Sequence, residues 1–313
     1  SSNIFFTSCG TEGINTVMNG CIHDLGIHHI ITSPIEHHAV LHSIEHLVAG
    51  NNCGVSYTKL DSKGNIDLNH LELLLKQNEH SLVCLMHANN EIGNQLPLNE
   101  VSRLCSVHNA LFLCDTVQTV GKLVNDFRNM YIHFAVCSAH KLHGPKGAGF
   151  LYLRDGMNIN PMLLGGGQER NMRSGTENIY GIVGLAKALE VSCRDMEKIT
   201  KHVKALKSRM VQLLKDNITD VAFYGESEEN GLYTILNISF PKTKKSEMLL
   251  YNLDIEGIAA SGGSACNSGA VNVSHVLRAI GAGEDRVAIR FSFSKFNTFD
   301  EIEKTIEILM KIL

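Results

Sequence analysis

Short apolar runs alternate with amphipathic stretches through the first half of the chain, and this alternation narrows the fold more than any other feature. Runs at Ile4–Thr7, His29–Thr32, Val55–Lys59, Leu82–Met86, Leu111–Cys114 and Phe134–Cys137 have the length and composition of strands. Thr11–Leu25, Ala39–Val48, Leu68–Lys76 and Leu98–Val107 carry apolar residues at helical spacing. A strand–helix alternation of this kind predicts a mostly parallel sheet covered by helices on both faces. Right-handed crossovers then bring the strand C-termini to one edge, where ligands bind in open α/β folds.

The pattern changes after Arg154. Gly165-Gly166-Gly167 opens an irregular stretch to about Asn178, and a long helix is expected from Gly184 to Asp216. Strands near Val221–Tyr224, Thr234–Ser239, Ile258–Ala260 and Val287–Ser292, with helices at Glu247–Leu253 and Glu301–Ile312, predict a smaller α+β domain. The expected division is residues 1–198 for a large domain and 199–313 for a small C-terminal one. The 313 residues are 44% hydrophobic and 19% charged, enough apolar material for both cores. A formal charge of −4 leaves no basic stripe for nucleic acid. No uninterrupted apolar run approaches a membrane span, and no signal peptide is visible. The chain does not begin with Met, so its natural start is expected upstream. Nine scattered cysteines, an odd number without C-x-x-C spacing, point away from a disulfide framework and towards a reducing, cytoplasmic compartment.

The segment richest in chemistry is Ser138-Ala139-His140-Lys141-Leu142-His143-Gly144-Pro145-Lys146-Gly147. A Lys just past a strand end can be desolvated by the sheet edge and made nucleophilic, suiting a Schiff base with a carbonyl cofactor. Taken alone, the segment reads more readily as an ordinary turn with an exposed Lys. Its neighbours favour the chemical reading. Asp115 ends a strand, with Gln118 three residues on, and an Asp there can pair with a protonated pyridine nitrogen. Ser8-Cys9-Gly10-Thr11-Glu12 joins strand to helix, either as a simple helix cap or as a phosphate cradle of backbone N–H groups with the Thr11 hydroxyl. Cap, acidic strand end and Lys fall on one sheet edge, in an order suited to pyridoxal phosphate.

Together these motifs resemble the cysteine desulfurases, class V-type enzymes of pyridoxal phosphate fold-type I. The resemblance runs through Gly10-Thr11-Glu12, Glu36-His37-His38-Ala39-Val40, Met86-His87-Ala88-Asn89-Asn90-Glu91-Ile92-Gly93 and Asp115-Thr116-Val117-Gln118. It continues through Ser138 to Gly147, Gly165-Gly166-Gly167-Gln168-Glu169 and Arg173-Ser174-Gly175-Thr176-Glu177-Asn178. Ser261-Gly262-Gly263-Ser264-Ala265-Cys266 and Ile289-Arg290-Phe291-Ser292 complete it. It implies that Lys141 holds the cofactor covalently and shuttles protons, that Asp115 pairs with the ring nitrogen, and that Gln118 bonds the phenolic oxygen. His37 would stack on the ring and help move protons. Thr11, Ser138 and His140 would bind the phosphate. Thr176 would reach the phosphate of a neighbouring subunit, which implies a homodimer. Asn90, beside the cofactor, and Arg290 would hold the substrate carboxylate, Arg290 through its planar fork.

Cys266 lies in a run of small residues that should leave its thiol exposed and mobile, and an accessible thiolate is nucleophilic. A tolerated surface Cys is the plainer reading; the resemblance makes it the sulfur acceptor. L-cysteine would become L-alanine, and the sulfur would pass through a Cys266 persulfide to an iron–sulfur scaffold or a sulfur carrier. The Cys segment resembles the longer-loop subgroup, whereas Gly269-Ala270-Val271-Asn272-Val273 departs from the usual pattern and leaves the acceptor open. The family pattern also implies residues ahead of Ser1 that complete the substrate pocket and small domain. Rival readings remain: His38, His42 and His46 at i, i+4, i+8 as a metal site, a function as a scaffold, or a related lyase acting on selenocysteine or cysteine sulfinate.

Overall fold

A computed structural model of the chain describes residues 2–262, 274–283 and 285–313. These form two compact units. The first takes in Ser1–Lys59, Ile66–Ala88 and Leu96–Met196; the second takes in Leu60–Asn65, Asn89–Gln95 and Glu197–Leu313.

The first unit is built on β1 (Ile4–Thr7), β2 (His29–Thr32), β3 (Gly54–Tyr57), β4 (Leu82–Met86), β5 (Leu111–Asp115), β6 (Phe134–Ser138) and β7 (Gly149–Leu153). They lie in one seven-stranded sheet in the order β1-β7-β6-β5-β4-β2-β3. β3, β2, β4, β5 and β6 pair in parallel, while β7 runs antiparallel to both β6 and β1. β1 therefore points the same way as β6, and its C-terminus shares the edge at which β4, β5 and β6 end. β4 and β6 are buried along their whole length, as expected of strands covered on both faces. The reversed strand β7 is absent from the expected pattern, since a short apolar run does not show its direction.

Helices α1 (Gly10–His23) and α2 (His38–Ala49) cover one face. Ile14, Val17, Met18 and Cys21 of α1 pack with Val40, Ile44 and Leu47 of α2 over Cys84, Leu113 and Val136. On the other face, α3 (Leu68–Gln77) and α4 (Leu98–Val107) set Leu71, Leu75, Val101 and Leu104 against Val83, Leu85, Phe112 and Ala135. Each such side chain contributes roughly 1.5–3 kcal/mol relative to exposure. α1 lies unusually close to the sheet. A Cβ on Gly10 would stand 2.6 Å from Val117 Cγ2, and one on Gly13 would stand 2.8 Å from Val136 Cγ1. Glycine at these positions lets the start of the helix settle on the strand ends.

The expected single helix near Gly184–Asp216 is instead α5 (Ile179–Arg194) followed by α6 (Met196–Asn217). Asp195 leaves helical torsions (φ −100°, ψ 8°) and caps α5. No Pro or Gly marks this break, so periodicity runs straight through it.

In the second unit, β8 (Ala222–Phe223), β9 (Ile235–Pro241) and β10 (Arg286–Ser292) form an antiparallel sheet in the order β10-β9-β8. Helices α6, α7 (Leu249–Ile255), α8 (His275–Ala279) and α9 (Phe299–Ile312) accompany it. α9 starts with a reciprocal capping box between Thr298 and Glu301. The strand expected at Ile258–Ala260 is irregular; only Ser261 bridges, to Arg290. Asn89–Gln95, placed in the larger domain by sequence, belongs to the second unit. Gly93 O accepts from Leu232 N at 2.7 Å, and Glu91 O accepts from Asn237 Nδ2 at 3.1 Å. These partners are too distant in sequence for local reading to reveal.

Candidate active site

The C-terminal ends of β4, β5 and β6 gather ionisable groups in the first unit. Asp115 is the last residue of β5 and is buried. Its Oδ1 accepts the Val117 N–H at 2.9 Å. Burial pushes the carboxyl up to about 6, against that hydrogen bond and the Lys141 charge. Lys141 follows β6 in a short 3-10 turn, Ala139–Leu142, and is exposed. It faces Asp115, His140 and Lys122, and its charge depresses both of the latter. His140 is held below the usual imidazole range by partial burial, with Lys141 and Lys146 adding. Lys122 is pushed down to about 8 by desolvation first and Lys141 second. Its Nζ donates to Gln118 O at 2.9 Å, at the foot of the turn carrying the half-buried Gln118 side chain.

The N-terminus of α1 meets the same edge. Ser138, buried at the end of β6, accepts the Gly10 N–H through its Oγ at 2.8 Å. Thr11 is exposed one residue along. Glu12, which would oppose an anion here, is occupied elsewhere: Arg173 Nε donates to Oε1 at 3.0 Å, and Ser8 N donates to Oε2 at 2.9 Å. Burial opposes ionisation, but these hydrogen bonds hold the Glu12 carboxyl below its usual range. The helix N-terminus thus keeps its positive end for a ligand. His37 N-caps α2, its Nδ1 accepting from Ala39 N at 3.0 Å, which places the proton of the neutral ring on Nε2.

Glu36, just before His37, is only 1% exposed. The Ser33 hydroxyl donates to its Oε1 at 2.6 Å, and the Met86 N–H also donates to its carboxyl. The sequence motifs contain Glu36, Glu12 and Arg173 with no role assigned to them, and Lys122 falls outside those motifs. An acid between the end of a strand and a capping His was the available signal.

In the second unit, Arg290 of β10 donates from Nη1 to Asn90 O at 2.8 Å. Its backbone exchanges hydrogen bonds with Ser261 at 2.7 and 3.0 Å. Asn89 Oδ1 accepts from Glu91 N and Ile92 N, shaping the turn that presents Asn90. Thr176 is exposed in the loop before α5. Cys266 lies outside the described residues. His38 and His42 stack with ring centroids 4.9 Å apart, and no group of three or more metal-ligating side chains is gathered among the described residues.

The aminotransferase class-V family model matches residues 1–305. The chain belongs to the aminotransferase class-V family. It is 40% identical over 315 aligned positions to a protein of Nostoc sp. named cysteine desulfurase, covering all of this chain and 78% of that one. It is 40% identical over 307 positions to the putative cysteine desulfurase IscS 1 of Bacillus subtilis, covering 96% of this chain and 79% of that one. Among solved structures, a NifS-like protein superposes with a TM-score of 0.90 at 36% identity, covering 99% of this chain and 82% of that one. The fold is that of fold-type I pyridoxal phosphate enzymes, and the family works with this cofactor. The class-V site fits it chemically. A helix N-terminus flanked by hydroxyls suits a phosphate, a buried carboxylate suits a basic ring nitrogen, and an amine beside them suits an aldehyde. Among the described residues, no helix is long and apolar enough to cross a membrane.

Proposed function

We infer that the protein is a pyridoxal phosphate-dependent cysteine desulfurase that converts L-cysteine to L-alanine and transfers the sulfur to Cys266. The observation that carries the reading is the buried Asp115 carboxylate beside Lys141, on the edge where α1 begins. Thr11, Ser138, His140 and the first N–H groups of α1 bind the phosphate. Asp115 pairs with the ring nitrogen, Gln118 with the phenolic oxygen, and the His37 ring lies against the cofactor. Lys141 is the covalent attachment. The cofactor, once bound, supplies an electron sink for the pair left when the α-proton departs.

Lys141 Nζ takes that proton and returns it later. Arg290 and Asn90 hold the substrate carboxylate. The Cys266 thiolate attacks the substrate sulfur, the Cβ–S bond breaks, and a proton replaces sulfur at Cβ. L-cysteine and the Cys266 thiol thus yield L-alanine and a persulfide, with no external oxidant or reductant. The larger unit carries the cofactor groups and the smaller one Cys266. An iron–sulfur scaffold or a sulfur carrier takes the persulfide sulfur.

The working form is a homodimer in which Thr176 serves the neighbouring site. Supporting this, the loop before α5 and the first turns of that helix expose Met162, Leu163, Leu164, Ile179, Tyr180 and Val183. The compartment is the cytoplasm; the eight cysteines among the described residues are free thiols.

Alanine release from L-cysteine by cofactor-loaded protein tests the reading, beside Cys266→Ser and Lys141→Ala. Wild type should release alanine and both variants should not. No alanine from wild type would end the desulfurase reading, and equal alanine from Cys266→Ser would remove Cys266 from the chemistry.

A further inference from the structure

Glu91 is a buried acid on the turn that presents Asn90, and the proposed chemistry gives it no part. Its Oε2 accepts the Ser274 hydroxyl at 2.5 Å, and Ser274 is buried too. Ser274 opens α8: the same Oγ accepts the Val276 N–H at 3.0 Å, and Val276 and Leu277 are buried behind it. The Glu91 backbone is fixed as well. Its N–H donates to Asn89 Oδ1 at 2.8 Å, and its carbonyl accepts from Asn237 Nδ2 at 3.1 Å. Asn237 stands opposite Arg290 in the register of β9 and β10.

Among the described residues, Gly262 and Ser274 are the nearest to Cys266 in sequence, one on each side. The chain is fastened next to both, and to one turn. On the N-terminal side, Ser261 exchanges backbone hydrogen bonds with Arg290, whose Nη1 donates to Asn90 O at 2.8 Å. On the C-terminal side, Ser274 is held by Glu91, the next residue of that turn. The groups assigned to the substrate carboxylate, Asn90 and Arg290, thus belong to the same hydrogen-bonded frame as both attachment points. A tethered nucleophile attacks at a rate set by where its tether is anchored relative to the substrate, since misplacement thins out the reactive geometries.

We propose that Glu91 is a positioning residue for sulfur transfer: it ties the chain on the C-terminal side of Cys266 to the turn that carries Asn90. The Asn90 turn itself is shaped by main-chain bonds and by Asn89, so the Glu91 carboxyl governs the second attachment point. Its loss therefore impairs attack by the Cys266 thiol and spares removal of the α-proton, a step in which the thiol takes no part. The inference rests on the desulfurase reading above.

The test reads two rates on cofactor-loaded protein. One is alanine release from L-cysteine, which needs Cys266. The other is exchange of the α-hydrogen of L-alanine in deuterium oxide, which needs Lys141 and the carboxylate-holding groups but not the thiol. Cys266→Ser gives the pattern of a pure thiol defect, exchange without release. Glu91→Met keeps the length of the side chain and removes the acceptor oxygens. It should lower release about fivefold or more and keep exchange within about twofold of wild type. Ser274→Ala should do the same. The double variant should be no slower than Ser274→Ala, because the shared bond can be lost only once. Glu91→Gln keeps an acceptor oxygen and should release alanine within about threefold of wild type. Wild-type release in both Glu91→Met and Ser274→Ala would overturn the proposal. So would exchange that falls in step with release, which would make Glu91 a prop for the Asn90 turn alone. If Glu91→Met does not fold, the ratio of release to exchange in Ser274→Ala decides. A wild type that releases no alanine would overturn the desulfurase reading itself, and this inference with it.

Discussion

Replacing Gly10 with Ala should weaken cofactor binding by about tenfold, through a clash that can be measured in advance. The added Cβ would stand 2.6 Å from Val117 Cγ2 and 3.3 Å from Ser138 Oγ. Carbon atoms in good contact stand roughly 3.5–4.0 Å apart, so about 1 Å of movement is required. Val117 is β-branched with restricted χ1, and its N–H is engaged by Asp115. The start of α1 is therefore the part that moves. Overpacking of this size costs about 1–3 kcal/mol, partly offset by up to about 1 kcal/mol of helix propensity gained over glycine. The displaced helix end loosens the 2.8 Å bond from Gly10 N to Ser138 Oγ and moves the free N–H groups off the phosphate position. Titration of apo-protein with pyridoxal phosphate gives the affinity, and urea denaturation gives the stability. Val117→Ala removes the clashing methyl while keeping the backbone N–H, so the double variant should recover most of the affinity. Wild-type affinity in Gly10→Ala alone, or no recovery in the double variant, would refute the argument.

Three further outcomes follow from charges in the same unit. The folded-state pKa of Glu36 is raised from 4.5 to about 8, so its stabilising contribution is full below about pH 4.5 and is lost as pH rises through 8. Relative to Glu36→Gln, apo wild type should lose about 4 kcal/mol in urea denaturation between roughly pH 5 and 9, and a flat difference would contradict a buried neutral acid. The Gln variant is the right reference, since buried His87 and His133, held down to about 4, add a trend of opposite sign. Arg173→Met leaves the Glu12 carboxylate unpaired in a largely buried place and should cost about 2 kcal/mol in chemical denaturation while weakening phosphate binding; unchanged stability would mean that the pair is idle. Lys122→Met removes a positive neighbour of Lys141 and should raise the pH midpoint of the bound cofactor's absorbance by about half a unit or more; a fall would reverse the electrostatic argument.

Much of this was legible in the sequence because the relevant information is local. Strand runs such as Leu82–Met86 announce themselves by composition, and the order of Thr11, Asp115 and Lys141 follows from which strands end where. Two things were hidden because they depend on distant partners. The antiparallel direction of Gly149–Leu153 is set by pairing with Ile4–Thr7 and Phe134–Ser138. The membership of Asn89–Gln95 in the second unit rests on hydrogen bonds spanning much of the chain. Glu36 was overlooked because an acid beside a histidine pair reads as polar surface until its burial is known.

The reversed strand β7 also governs the order in which the protein can be assembled. β1 borders the sheet through β7 alone, pairing Ile4 with Tyr152 and Thr7 with Gly149. Among the described strands, β1 therefore has no neighbour in the sheet until the chain has been synthesised through Leu153. Until then the glycine-bearing start of α1 has no fixed seat, and closing so long a loop is slow. A ribosome-bound chain that stops short of β7 can already hold the parallel strands, yet its phosphate-binding end remains unanchored. Competence to capture the cofactor should thus arrive late and abruptly during synthesis, as a single strand closes the gap.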